Sequence, residues 1–131
     1  QSTMQFLRSA KMVEGVTESA LAWLAVVMRP QVMAPGEVLV EAGDEVNQIF
    51  LMQVGELQAW APGEDGEEPI EVYREPGELV RKRSLLDPVW DVTIRADDAT
   101  LVFWVSKLTL RMMFKGSMKQ LHDNVESEEY G

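Results

Sequence analysis

Residues 34–60, APGEVLVEAGDEVNQIFLMQVGELQAW, alternate short apolar runs with glycine-bearing turns. Pro35-Gly36 suits the central positions of a type II turn, because proline presets φ and glycine accepts a positive φ. Val38-Leu39-Val40 is the first run, and Gly43-Asp44 signals a second turn. Ile49, Phe50, Leu51 and Met52 form the next run, which breaks at Gly55. Leu57, Ala59 and Trp60 then lead the chain back out. Short strands parted by glycine turns at this spacing predict a β-meander, the unit of a sandwich or barrel.

Composition bounds what surrounds that meander. A chain of 131 residues is about one domain by length, with enough material to bury a core. Its hydrophobic fraction of 46% is that of an ordinary globular protein. No apolar run approaches the ~20 residues that span a bilayer, and no stretch resembles a signal peptide, so a soluble chain without direct membrane contact is expected. The absence of cysteine excludes disulfides and thiolate chemistry, and a single histidine, His122, excludes a histidine-rich metal site. A net charge of −10 argues against nucleic acid as a partner, since nonspecific binding depends on phosphate neutralisation by Lys and Arg. No nucleophile–base pair, metal cluster or phosphate loop is present in the sequence, so neither an enzyme nor a cofactor is expected.

Outward from the meander, residues 2–10 predict a short helix with Met4, Phe6 and Leu7 as its apolar contacts. Thr17 is an N-cap for a helix over 17–29, with Glu18 in its first turn and Pro30 beyond its end. Ala20, Leu21, Leu24, Val27 and Met28 fall on one face of it, with Trp23 at the margin. Residues 61–69, APGEDGEEP, read as a solvated hairpin tip, because the ligand spacing of a calcium loop is missing. Ile70, Val72 and Tyr73 make a strand, and Val92 and Ile94 alternate with Thr93 and Arg95 as in a half-buried one. Residues 101–105 are apolar enough to be buried on both faces. Ser106 caps a helix over 107–115 whose core face is Leu108, Met112 and Met113, and Gly116 breaks it. Met118, Leu121 and Val125 are spaced for a last helix over 118–124 before an acidic tail that frays. His122 reads as a surface residue.

The series Pro35-Gly36-Glu37, Gly43-Asp44, Ile49-Phe50 and Val54-Gly55-Glu56 resembles, in order and distance, the first half of cyclic nucleotide-binding domains. The likeness continues through Gly77 to Phe114. Residues 6–35 are similar to the helical lead-in of such domains in eukaryotic ion channels and kinase regulatory subunits, with Met12 or Val13 in a slot the family gives to an aromatic. The fold this resemblance implies is mainly β with flanking helices. It is an eight-stranded antiparallel β-roll of the jelly-roll type, in which each glycine closes a corner where a side chain would clash. The implied organisation is one domain over 1–131, with helices in 1–30, the roll in 31–105 and closing helices in 106–126.

The same resemblance implies a phosphate-binding cassette of the form G-D-x-F-G-E-x-x-L-L followed by R-x-A-T/S-V. In it a short helix aims N–H groups at the phosphate, an Arg pairs with the phosphate, and a Glu accepts from the ribose hydroxyl. Anchored on Gly77-Glu78, Leu85-Leu86 and Val92-Thr93-Ile94, the cassette here puts Arg81 in the glycine slot, Lys82 in the Glu slot and Trp90 in the Arg slot. Lysine accepts no hydrogen bond, and an indole offers a single donor. In the alternative register Gly77-Glu78 is the Gly-Glu pair, and Arg81 and Lys82 fall on the Leu-Leu positions. Arg81-Lys82-Arg83 reads as a solvated loop pairing with carboxylates such as Glu78 and Asp87, or else as an anion site. Trp90 reads as core filling an empty pocket, joined by Met112, Met113, Met118 and Leu121.

The expected function is therefore a non-catalytic regulatory domain with a degenerate pocket, from a larger eukaryotic ion channel or signalling protein. It would be cytoplasmic, at the cytoplasmic face of a membrane when part of a channel. Its partners would be other domains or subunits of that host, reached through the flanking helices. A domain for a different small anionic ligand, and the sensor of a catabolite-activator-type transcription regulator, are the competing readings.

Overall fold

A computed structural model describes residues 2–63, 68–115 and 118–130. Helices α1 (Thr3–Arg8) and α2 (Glu18–Val27), with a 3-10 turn Lys11–Val13 between them, precede seven strands. These are β1 (Arg29–Met33), β2 (Val38–Val40), β3 (Gln48–Val54), β4 (Leu57–Trp60), β5 (Glu71–Tyr73), β6 (Thr93–Ala96) and β7 (Thr100–Ser106). A 3-10 helix, Lys82–Leu85, interrupts them, and α3 (Lys107–Met113) and α4 (Met118–Tyr130) close the chain. Two antiparallel sheets result, one ordered β1-β7-β3 and the other β2-β6-β4-β5. The fold is mainly β with flanking helices, as expected. Seven strands rather than eight are present among the described residues, because residues 74–92 are spent on turns and the 3-10 helix. Two isolated bridges, Glu45 with Val89 and Leu51 with Leu79, tie that segment to the roll.

The local chemistry of the meander matches its sequence. Glu37 N–H donates to Ala34 O at 3.1 Å across Pro35-Gly36, with Gly36 at φ 88. Ile49, Phe50, Leu51 and Met52 are all buried in β3. The corner glycines divide into two kinds. A Cβ at Gly36 or Gly43 would meet nothing within 4 Å, whereas one at Gly55 would stand 2.5 Å from Ala99 O. Steric exclusion therefore operates at Gly55, and the backbone angle alone selects glycine at the other two.

The helices depart from expectation in several places. Thr17 caps α2 as expected, accepting from Ala20 N–H at 3.2 Å. The helix nevertheless stops at Val27, and Arg29 opens β1, since a residue before proline disfavours the α region. Trp23 is 66% exposed rather than marginal. In α3 the phase differs from expectation: Leu108 and Met112 are 62% and 66% exposed, while Lys107 and Leu110 are buried and Met113 is partly so. Ser106 belongs to β7 and also caps α3, so the strand's exit direction sets which face turns inward. Helix α4 continues through Tyr130 instead of fraying, and buries Leu121 with Met118 and Val125 packed beside it. His122 lies on its inner side, 16% exposed, near Glu126. The hairpin tip at 61–69 falls partly, and the break at Gly116 wholly, outside the described residues. Among the described residues no helix is long and apolar enough to cross a membrane.

Candidate functional site

The segment between β5 and β6 is stitched along β3 before it reaches its charged run. Gly77 N–H donates to Met52 O at 2.8 Å, Met52 N–H to Glu78 O at 2.9 Å and Val80 N–H to Phe50 O at 2.9 Å. Gly77, at φ 85, also lets the linker after α1 press close: a Cβ there would lie 3.2 Å from Ala10 Cα. Glu78 Oε1 accepts from the N–H groups of Arg74 and Glu75. Arg81 then turns left-handed (φ 51, ψ 83) and opens the 3-10 helix. It is the one non-glycine residue with positive φ among those described. L-residues avoid that conformation because Cβ crowds the backbone, so Arg81 is held there by its surroundings.

Those surroundings are two carboxylates. The Arg81 guanidinium forks onto Asp91, Nε to Oδ1 at 3.0 Å and Nη2 to Oδ2 at 2.6 Å, while Nη1 reaches Glu71 Oε1 at 2.7 Å. A planar fork matches a carboxylate in two parallel hydrogen bonds. The pairing raises the Arg81 pKa, chiefly through Asp91, and the same hydrogen bonds hold the Asp91 carboxyl below the usual aspartate range. Tyr73 donates its hydroxyl to the same Glu71 oxygen, and its pKa is driven up first by burial and then by Glu71. Lys82 pairs with Glu126 of α4 at 3.0 Å. Arg83 lies outermost, 3.1 Å from Asp87 and 3.6 Å from Asp91.

A cavity of about 270 Å³ opens beside this network, lined among others by Lys11, Glu71, Tyr73, Glu78, Lys82 and Val125. Its walls come from the linker after α1, from β5, from the Gly77 turn and from α4. The last helix is tied across it: Asn124 Nδ2 donates to both Met12 O and Glu14 O at 3.0 Å.

Of the positions named from sequence, Gly77, Glu78 and Lys82 line this cavity. Leu85, Trp90 and Val92 are in the core, Trp90 at 2% exposure with its ring centroid 6.0 Å from that of Phe50. Trp90 is also bound by its backbone, donating to Asp44 O and accepting from Gly43 N–H, each at 2.8 Å. Leu86 faces outward, unlike its neighbour Leu85. Thr93 sits in β6, where its hydroxyl accepts from Ala42 N–H at 3.1 Å. Met112 is exposed and fills nothing. Sequence reasoning placed a carboxylate at Asp87 correctly but missed Glu71, Asp91 and Glu126. Asp91 follows Trp90 directly, and a search for acids around the empty Arg slot would have reached it; Glu71 and Glu126 carry no such local signal.

Comparison with known proteins bears on this geometry. The family model for the cyclic nucleotide-binding domain matches residues 30–117. The chain belongs to that family. This cyclic nucleotide-binding domain is 25% identical to the potassium channel KOR1 of Oryza sativa subsp. japonica over 96% of its own length, spanning 15% of the channel. Among solved structures, the regulatory domain of Toxoplasma gondii PKA with cAMP superposes with a TM-score of 0.78 at 21% identity, over 90% of this domain and 45% of that chain. The regulatory subunit of a cAMP-independent protein kinase A from Trypanosoma brucei gives 0.79 at 14% identity, over 98% and 44%. The domain thus spans a small part of the channel and under half of either solved chain, and the two structural likenesses establish its fold.

Proposed function

We propose that this domain is a non-catalytic regulatory module of a larger host, with a cassette that its own side chains have closed. The observation that carries the reading is Arg81. Its left-handed backbone supports the register that sets it in the family's glycine slot, and all three nitrogens of its guanidinium are already engaged by Asp91 and Glu71. Lys82, in the slot of the ribose-binding Glu, is tied to Glu126 of the closing helix. Trp90, in the slot of the phosphate-binding Arg, is buried against Phe50. A cyclic nucleotide entering in the family's usual way would meet no phosphate Arg and no ribose carboxylate at these positions. That a domain of this fold serves a kinase subunit described as cAMP-independent fits such a role.

The likeness to a potassium channel favours an ion-channel host, cytoplasmic at the membrane face, over a transcription regulator. The flanking helices are where neighbours would dock, since α2 turns Trp23 and Val26 outward and α3 turns out Leu108 and Met112. The decisive experiment is calorimetric titration of cAMP and cGMP into the domain. Two lost charge-assisted contacts at ~1.5–3 kcal/mol each amount to about 3–6 kcal/mol. That is roughly two to four decades of affinity. No saturable binding at micromolar concentration is the expected result, and a micromolar constant for either nucleotide would refute the closed-cassette reading.

A further inference from the structure

We propose that the cleft between the Pro88 loop and the first turns of α3 is a second, oxyanion-binding site, which takes a carboxylate or phosphate group between Lys107 and Arg111. The cleft holds about 460 Å³ and is lined among others by Glu45, Asn47, Pro88, Lys107, Leu108 and Arg111. It shares no lining residue with the cavity beside Lys82.

Lys107 is the cation that demands explanation. It is 5% exposed, in a chain whose other lysines and arginines are exposed or paired with carboxylates. Its ammonium donates to Asp87 O at 2.6 Å and to no other acceptor among the described residues. An ammonium has three donors, so two have no protein partner. The Asp87 carboxylate attracts Lys107 through space but is itself bonded to Arg83 at 3.1 Å, and its pull ranks behind burial and the repulsion of Arg111. Arg111, one helical turn on along the same wall, makes no hydrogen bond or ion pair among the described residues. Burial first, and then the charge of Arg111, hold the Lys107 pKa below the usual lysine value.

The buried Lys107 ammonium has no bonded carboxylate among the described residues, and the exposed Arg111 on the same cleft adds like charge, which is costly because a charge is buried cheaply only when paired. Glu45 also lines the cleft but pairs with neither cation. An oxyanion would accept from both donors at once, as charge-assisted pairs do. Leu108, 62% exposed at the rim, gives the anion's carbon frame an apolar surface to lie on. The competing role for Lys107 is that of a staple that holds the Pro88 loop to α3; a staple has no reason to answer to anions.

The test is a titration of the chain, labelled with 13C at lysine Cε, by sodium acetate and separately by sodium phosphate, each at ionic strength fixed with sodium chloride. The Lys107 resonance is expected to shift and saturate in the millimolar range, with the tighter of the two arms naming carboxylate or phosphate as the natural group. Arg111→Gln is expected to weaken that binding by about tenfold, as loss of a charge-assisted hydrogen bond does. Lys107→Met should abolish it, read from the Asn47 and Leu108 amides. Because Lys107→Met risks the fold, the exposed Arg111→Gln variant is the deciding one. A Lys107 shift that tracks ionic strength alone, fails to saturate by tens of millimolar, or is unaltered in Arg111→Gln would overturn the proposal.

Discussion

Arg81 is asked to do two things that pull apart, holding a left-handed backbone that glycine adopts freely and presenting a guanidinium to Asp91 and Glu71. Replacing it by Ala keeps the strain and removes the ion pairs; replacing it by Gly removes both. The carboxylates left behind are about one-third exposed, so water takes over part of the lost interaction. Arg81→Ala is expected to cost about 1–3 kcal/mol, the range for leaving partly buried hydrogen-bond partners unmatched, and Arg81→Gly about 1 kcal/mol less, the relief of the left-handed residue. Equal urea midpoints for the two variants would mean that the backbone there is unstrained. Trp90 makes the opposite case, a residue whose packing alone should dominate. Its removal as Trp90→Ala empties a site in the core and is expected to cost ~3–5 kcal/mol. Fluorescence of a chain lacking Trp23, Trp60 and Trp104 should then show Trp90 shielded from solvent quenchers. At this scale the sequence spoke unevenly. The oddity of Arg81, Lys82 and Trp90 was legible because each departs from a spaced motif. Of their partners only Asp91, beside Trp90, lay within reach of that motif; Glu71 and Glu126 did not, because a distant carboxylate is indistinguishable from the many others in an acidic chain.

Elements separate along the same line between local and non-local causes. The turns of the meander were readable because proline and glycine fix backbone angles within four residues. The face of α3 was not, because apolar residues at 108, 110, 112, 113 and 114 support more than one inward stripe in a helix of two turns. What chooses is β7, whose last residue caps the helix and aims Leu110 into the core. The corner glycines give this distinction a measurable form. At Gly36 only the angle matters, so Gly36→Ala should cost about 1 kcal/mol. At Gly55 a Cβ would stand 2.5 Å from both Ala99 O and Thr100 Oγ1. There the corner between β3 and β4 must open, and Thr100 also donates to Glu56 O across it. Gly55→Ala is expected to cost about 3 kcal/mol or more, the sum of the angle and the displaced contact. Thermal midpoints of the two variants would check this, and similar losses would mean the corner yields without resistance.

On the scale of the whole molecule, one core unites both sheets and the four described helices, and its order of helix, roll and closing helices could be read from the periodicities. Charge is the whole-molecule property that periodicity leaves open, because −10 says nothing of whether attraction or repulsion governs stability. Several ion pairs lie on the surface, such as Arg8 with Glu18 and Lys119 with Asp123, at side-chain exposures of 46% or more. Pairs of that kind contribute ~0–1 kcal/mol each. Against them stands the self-repulsion of 22 acidic residues facing 12 basic ones. Raising salt from 0.01 to 0.1 M shortens the screening length from about 30 to about 10 Å, which weakens long-range repulsion more than contacts at hydrogen-bond distance. Repulsion should therefore lose more than attraction, and the thermal midpoint is expected to rise over that range by a few degrees, equivalent to about 1 kcal/mol. Arg81 supplies the control. Its pairs with Glu71 and Asp91 are 2.7 and 2.6 Å long and its side chain is 16% exposed, so salt screens them least. Arg81→Ala should lower the midpoint at every salt concentration and leave the slope against salt almost unchanged. A wild-type midpoint that falls with salt would show that surface pairs outweigh the net charge, and a flattened slope in Arg81→Ala would place the salt response in the closed cassette itself.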